Sequence, residues 1–334
     1  MLSLKNKNIA VIGGAGFIGS HLAEEVLKSG AKSLVIVDNF FLGKGSKLQS
    51  DIIKQFPFLS IQICGAQNEF EMTRMLQLYK PDVVYNLAVL PLPHSLIYAK
   101  TNIDINVAII SNLCELQRKG LFKTLIHFSS SEVYGSNTTD KPMKEDHPLG
   151  ASTPYAASKA ACDLIVESYG KTFGNEYVII RPFNNYGPRQ NQGTYAGIVP
   201  LTIQRILNNE NPVVNGSGEQ TRDYLYVTDT IKAAIMAYEN EETRGKIINI
   251  GSGQEIKIID LLEKIIKLME NTGFKPIPIE QQSARPGDVL RHTADITRAQ
   301  TLLNFKPEIN LEKGLEMTID WYIKKAGMYT IYVH

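Results

Sequence analysis

Seven short runs rich in β-branched residues, "NIAVI", "SLVIV", "LSIQI", "DVVYN", "KTLIHF", "EYVII" and "KIINI", alternate with longer stretches of helical periodicity. Segments such as "FIGSHLAEEVLKSG" and "NIDINVAIISNLCELQRKG" carry apolar residues at helical spacing and end on Gly, the common helix C-cap. Strand and helix in alternation predict a parallel sheet covered by helices on both faces. After Arg181 the rhythm breaks. "RPFNNYGPRQNQGTYAGIVP" reads as a long loop rich in Gly, Pro and Asn, and a loop of that length in a compact protein is usually functional. From about Gly251 helices outnumber strands, which predicts a smaller mixed α/β lobe. The expected division is 1–180, with 225–250 returning to it, against 181–224 and 251–334.

A chain of 334 residues with 43% hydrophobic content can bury a large core. Lys and Arg total 35 against 34 Asp and Glu, a formal charge of +1 with no basic or acidic block. Neither nucleic acid nor a membrane surface is an expected partner. The N-terminal "MLSLKNKNIAVIGG" reaches a turn glycine too soon to hold a signal peptide's apolar region, so a cytoplasmic protein is expected. Cys64, Cys114 and Cys162 are widely spaced beside apolar neighbours and read as buried reduced thiols. No metal site is expected.

"NIAVIGGAGFIGSHLAEEVL" is a strand, a glycine turn and a helix. Both Gly14-x-Gly16-x-x-Gly19 and Gly13-x-x-Gly16-x-x-Gly19 fit the dinucleotide pattern. A pyrophosphate must approach the backbone closely at a helix N-terminus, where free N–H groups and the helix dipole favour an anion. "LVIVDN" then ends a second strand on Asp38, whose carboxylate can accept both hydrogen bonds from the adenosine ribose. No Arg follows to hold a 2′-phosphate, so NAD is favoured over NADP. The expected fold is a Rossmann-type, doubly wound parallel α/β sheet of about seven strands.

"TPYAASKAACDLIVESYG" places Tyr155 and Lys159 four apart, on one face of a helix. An ammonium near a phenol favours the phenolate, and the positive nicotinamide ring adds to that effect. Tyr155 is therefore a candidate base near neutral pH.

"GGAGFIGSHL", "VDN", "NLAV", "SSSEVYG", "PYAASK", "RPFNNYGPRQ", "GEQTRDYLYV" and "RPGDV" follow one another along nearly the whole chain. The series resembles the extended short-chain dehydrogenase/reductases that modify nucleotide sugars, the epimerase/dehydratase family. The resemblance implies a catalytic triad of Ser130, Tyr155 and Lys159. It implies cofactor contacts from Gly13, Gly16, Phe17, Ile18, Gly19, Asp38 and Asn39, and from Leu87, Ala88, Ser129, Tyr155, Lys159 and Pro182. Ser131, Asn184, Arg222, Arg285 and Asp288 would hold a nucleotide-diphosphate sugar, a role for which arginine suits the diphosphate. The resemblance also implies a homodimer joined through a four-helix bundle formed by two long helices of each subunit. Where the family often has Gly-Asp-Ile or Gly-Asp-Leu after the third strand, this chain has "CGAQN", so contact by Ala66 or Gln67 is not carried over. "NLAVLPLPHS" carries two prolines, which gives its loop a shape of its own and makes His94 a further candidate for substrate contact.

In this family Tyr155 would take the proton of the sugar 4-hydroxyl while the C4 hydride passes to NAD. The fate of the 4-keto sugar sets the reaction. A 4-epimerase of the UDP-glucose or UDP-N-acetylglucosamine type returns the hydride to the other face and requires no further base. A 4,6-dehydratase removes the acidified C5 proton with a carboxylate, and Glu132 in "SSSEVYG" supplies one, so Glu132 joins the candidate catalytic residues. A UDP-glucuronate decarboxylase would lose carbon dioxide from the same ketone, and a 4-reductase or 4-oxidase would consume NAD. "SSE" resembles GDP-mannose dehydratases and UDP-xylose synthases, whereas "GTYAGIVP" and "RPGDV" resemble the C-terminal lobes of 4-epimerases. Chemistry near the triad ranks the dehydratase first. An NAD-binding scaffold without turnover is disfavoured by the intact triad.

Overall fold

The computed structural model describes residues 2–42, 48, 56, 58–191, 193–275, 278–284 and 287–327. In its first part β1 (Asn8–Ile12), α1 (Phe17–Lys28), β2 (Ser33–Asp38), β3 (Leu59–Ile63), α2 (Glu69–Tyr79) and β4 (Val83–Asn86) follow in order. Next come a short α3 (Leu92–Ser95), α4 (Ala99–Arg118), β5 (Thr124–Phe128), α5 (Pro154–Phe173) and β6 (Glu176–Pro182). After these the chain forms β7 (Asn184–Tyr186), α6 (Ile198–Leu207), β8 (Val213–Asn215), β9 (Thr221–Tyr226), α7 (Val227–Glu239) and β10 (Lys246–Ile250). The last part holds β11 (Glu255–Lys257), α8 (Ile258–Glu270), β12 (Glu280–Gln282), α9 (Thr297–Leu303) and α10 (Leu311–Lys325).

Seven strands form one parallel sheet in the order β10-β6-β5-β4-β1-β2-β3. They are the seven runs read from the sequence. Successive side chains of a strand point to opposite faces, and here both faces are covered. Ile9 and Val11 pack with α1, α7 and α9, while Ala10 and Ile12 pack with α2, α4 and α5. Burial on both sides is why these strands are apolar throughout instead of alternating. The order reverses direction between β1 and β4, which opens a crevice beyond their carboxyl ends.

The stretch after Arg181 is more ordered than its composition suggests. Asn184–Tyr186 pairs in parallel with β9, and β11 adds antiparallel on the other side. β8 and β12 form a second small sheet. Isolated three-residue strands leave no periodic trace, which is why the sequence reads them as loop. A separate apolar core, with Tyr186, Ile203, Leu261, Ile265 and Ile319, lies between β7, α6, α8 and α10. Cys114 and Cys162 are buried free thiols as expected, but Cys64 at the end of β3 is only partly covered.

Candidate active site

The turn after β1 is built by backbone clearance. Gly13 has φ +79°, and a Cβ there would stand 2.7 Å from the Ala88 nitrogen. At Gly19, in the first turn of α1, a Cβ would meet the Gly13 carbonyl oxygen at 2.2 Å. Side chains are excluded at both places, so the turn lies tight against its helix and the β4 loop. Asp38, at the end of β2, accepts from the Ala15 N–H at 3.0 Å and the Phe40 N–H at 2.8 Å. Its carboxylate thus ties the second strand to the glycine turn.

The turn after β5 is built by side chains. Ser130 caps a short 3₁₀ helix, Ser131–Tyr134, by accepting from the Glu132 N–H at 3.2 Å. Gly135 ends it with φ +67°, and a Cβ there would lie 2.0 Å from the Gly150 oxygen. These two constraints hold Glu132 at the crevice. Opposite it, Thr153 caps α5 by accepting from the Ala156 N–H at 3.2 Å, with Pro154 in the first turn. Tyr155 therefore enters the site from a fixed helix start, and Lys159 follows one turn on.

One cavity of about 350 Å³ runs between the two turns. Gly13, Gly16, Phe17, Ile18, Gly19, Asp38 and Asn39 line one end. Leu87, Ala88 and Pro182 line its middle, and Ser129, Ser130, Ser131, Glu132, Tyr155, Lys159 and Asn184 the other end. The Asn184 Nδ2 is a buried donor without a partner, on the wall of the cavity. Arg222 and Asp288 lie outside this wall and pair with each other at 2.6 Å. Arg222 is near enough for its charge to act on Glu132. Arg285 lies outside the described residues.

The charges differ from the simplest expectation. Burial pushes the Tyr155 phenol up to about 12, opposed in part by its hydrogen bond with Ser130. The Lys159 ammonium donates to the Phe128 carbonyl at 2.5 Å. The protein alone thus does not bring the phenol to neutral pH, a correction to the reading from helical spacing. Burial also raises the Glu132 carboxyl above its usual range, against the Arg222 charge. A desolvated carboxyl of this kind is poised to exchange protons.

Over residues 10–318 the sequence matches the family described as GDP-mannose 4,6-dehydratase. The chain belongs to that family. This places it among the nucleotide-sugar epimerases and dehydratases of the extended short-chain dehydrogenase/reductase type, which are enzymes. The chain is 33% identical over 329 residues to a UDP-N-acetyl-α-D-glucosaminuronate decarboxylase of Bacillus cytotoxicus, covering 95% of this chain and 98% of the relative. Its fold superposes with TM-score 0.88 on a UDP-glucose 4-epimerase of Thermotoga maritima solved with UDP-glucose. That match is 29% identical and covers 96% and 99% of the two chains. A dTDP-glucose 4,6-dehydratase of Bacillus anthracis solved with NAD matches with TM-score 0.84 and 27% identity, covering 96% and 98%.

Several parts of this epimerase/dehydratase site escaped the sequence. Ala66 and Gln67 do line the cavity, beside Cys64. Their position just beyond β3 was the available signal. His94 is not part of the wall. It is buried behind Phe41 and Tyr195, with ring centroids at 5.7 and 6.4 Å, and its Nδ1 has no partner. His292, far along the chain, brings Nδ1 to 3.5 Å from the Ser131 hydroxyl. Burial and Arg222 hold it down to about 3, so it is neutral. No local pattern marks such a residue. Among the described residues no helix is long and apolar enough to cross a membrane.

Proposed function

We propose that the protein is an NAD-dependent nucleotide-sugar 4,6-dehydratase. The observation that carries this reading is Glu132, a desolvated carboxyl on the same cavity wall as Ser130 and Tyr155. In this reading residues 1–180 with 225–250 bind NAD, and 181–224 with 251–334 bind the nucleotide sugar. The glycine turn, Asp38 and a cavity open along the crest of β1 and β4 fit the dinucleotide, as does the NAD-bound relative. Bound NAD would accept the C4 hydride, favour the Tyr155 phenolate through its positive ring, and return the hydride at C6.

The chain's own residues then have separate tasks. Ser130 orients the sugar 4-hydroxyl and steadies the phenol by its hydrogen bond. Tyr155 takes the hydroxyl proton, and Lys159 supplies a positive charge beside it. With C4 a ketone, the C5 hydrogen is acidified, and Glu132 removes it. The C6 hydroxyl departs as water with the proton that Glu132 has gained, which leaves the C5=C6 double bond to be reduced. Asn184, with Arg222 and Asp288, would hold the nucleotide diphosphate and its ribose.

A decarboxylase would bring a sugar carboxylate to the same end of the cavity. Lys159 is the cation on that wall among the described residues, and it is engaged with Phe128. A second carboxylate beside desolvated Glu132 would be repelled, which favours a neutral 6-hydroxymethyl sugar. The 4-epimerase reading is favoured by the resemblance of the C-terminal lobe and by the Thermotoga structure. The protein, incubated with NAD and a panel of UDP-, dTDP-, GDP- and CDP-hexoses and hexuronates, separates the three readings by product mass. A dehydratase gives a product lighter by one water, an epimerase an unchanged mass, and a decarboxylase a loss of carbon dioxide.

Assembly is part of the same proposal. α4 and α5 pack on each other and leave Ile103, Leu164 and Phe173 on the surface. A second copy meeting these faces in a four-helix bundle would cover them. Light scattering at micromolar concentration is expected to give a dimer, and a monomer would contradict it.

A further inference from the structure

Behind the catalytic pair lies a set of buried ionisable groups that the reaction scheme does not use. Asp163 follows Tyr155 and Lys159 at the same four-residue interval, so the three share one face of α5. It is fully buried. Its Oδ2 accepts from the Arg181 Nε at 2.9 Å, a residue of β6. Its Oδ1 has no hydrogen-bond partner, and neither have the nearby His127 Nε2 and Ser129 Oγ. His127, on β5, stands 3.9 Å from Oδ1, too far for a hydrogen bond. Burial and the Lys159 charge keep this imidazole neutral, so it offers Asp163 no counter-charge.

We propose that Asp163 is the counter-ion that keeps Lys159 charged, and through it a positioning residue for the Tyr155 base. A buried ammonium without an anion loses its proton. Lys159 is buried, and among the described residues its one hydrogen bond goes to a neutral carbonyl. The groups facing Lys159 are few. Tyr155, Cys162 and Asp163 lie on its own helix, His127 and Phe128 come from β5, and Glu132 reaches the site through Tyr155. Of these Asp163 is the carboxylate whose charge supports the ammonium directly. Arg181 occupies one carboxylate oxygen and fixes its orientation, with a further bond to the Tyr134 hydroxyl at 2.9 Å. The other oxygen is left to the lysine side.

The inference rests on Tyr155 and Lys159 acting as a pair, and its test reads their protonation without turnover. It therefore stands or falls apart from the dehydratase reading. NAD-loaded protein labelled with ¹³C at the lysine ε-carbons is titrated by NMR, with the Lys159 signal identified by its loss in Lys159→Met. In Asp163→Asn the Lys159 midpoint is expected to fall by about one pH unit or more. The Tyr155 phenolate midpoint, read at 295 nm against Tyr155→Phe, is expected to rise. The sign decides the matter. Removing the Asp163 charge alone would lower the Tyr155 midpoint, because that carboxylate opposes the phenolate. Only loss of the lysine charge raises it. Asp163→Asn strands Arg181, so Asp163→Asn/Arg181→Met is measured as well, since it removes the ion pair whole. A fall of the Lys159 midpoint in either folded variant supports the proposal. An unchanged midpoint, or a Tyr155 midpoint that drops, overturns it.

Discussion

The turns after β1 and after β5 face each other across one cavity and are made by opposite means. At the first, glycine is required because backbone meets backbone, with 2.2 Å between a Gly19 Cβ and the Gly13 oxygen. At the second, hydroxyls and a carboxyl are held in a desolvated wall by a Ser130 cap and a Gly135 exit. The first is a shape that accepts any dinucleotide pyrophosphate. The second is a chemistry, and the reaction depends on it. Relatives that share the fold at TM-scores of 0.84 and 0.88 bear the names of a dehydratase and an epimerase, as this division would lead one to expect.

The sharpest test of the division is to damage one turn and read the other. Tyr155→Phe keeps the ring but removes the proton acceptor. Turnover is expected to fall by about 10²–10⁴-fold while NAD affinity, measured by calorimetry, stays as in the wild type. A parallel loss of NAD binding would merge the two regions.

On the cofactor side the larger effect is on stability. His21 on α1 donates through Nε2 to the Pro188 carbonyl at 2.9 Å, and burial holds its pKa down to about 4. A histidine neutral in the fold but free to protonate when unfolded stabilises above its ordinary value of about 6.5. That contribution, up to about 3 kcal/mol, is lost as the pH falls from there towards 4. His21→Gln should flatten denaturant-measured stability across this interval. An unaltered pH slope would show that His21 is not the group involved.

Asp38→Ala should weaken NAD by about 2 kcal/mol through the loss of charge-assisted hydrogen bonds, with the rate of any bound substrate's conversion less affected. Unchanged NAD affinity would remove Asp38 from the cofactor site. Smaller again is Thr153→Ala, which deletes the cap of α5 and should lower stability by about 1 kcal/mol without shifting NAD affinity. Thermal unfolding followed by circular dichroism checks it.

The same contrast explains what could be read from the sequence. The glycine turn, Asp38, and the Tyr155–Lys159 pair are set by spacing within one turn, strand or helix, so local periodicity exposes them. The seven sheet strands were legible because each is buried on both faces. β7, β8 and β12 are three residues long and take their conformation from distant partners. Asn184, Arg222 and Asp288 were reachable only by resemblance, and the pairing of the last two joins residues 66 apart. His292 behind Ser131 is 161 residues away from it and carries no local mark. The phenol's pKa was misjudged for a related reason, since burial by the whole fold outweighs a neighbour four residues along.

The central claim, that Glu132 takes the C5 proton, is tested most directly in deuterated water. Wild-type enzyme with NAD and the nucleotide sugar that it turns over is compared with Glu132→Gln by NMR at C5 and by NADH absorbance. The account predicts deuterium at C5 and a product lighter by one water for the wild type. For Glu132→Gln it predicts C4 oxidation intact but C5 exchange slowed by about 10²-fold or more. A product of unchanged mass, no deuterium at C5, and equal rates for both proteins would contradict it.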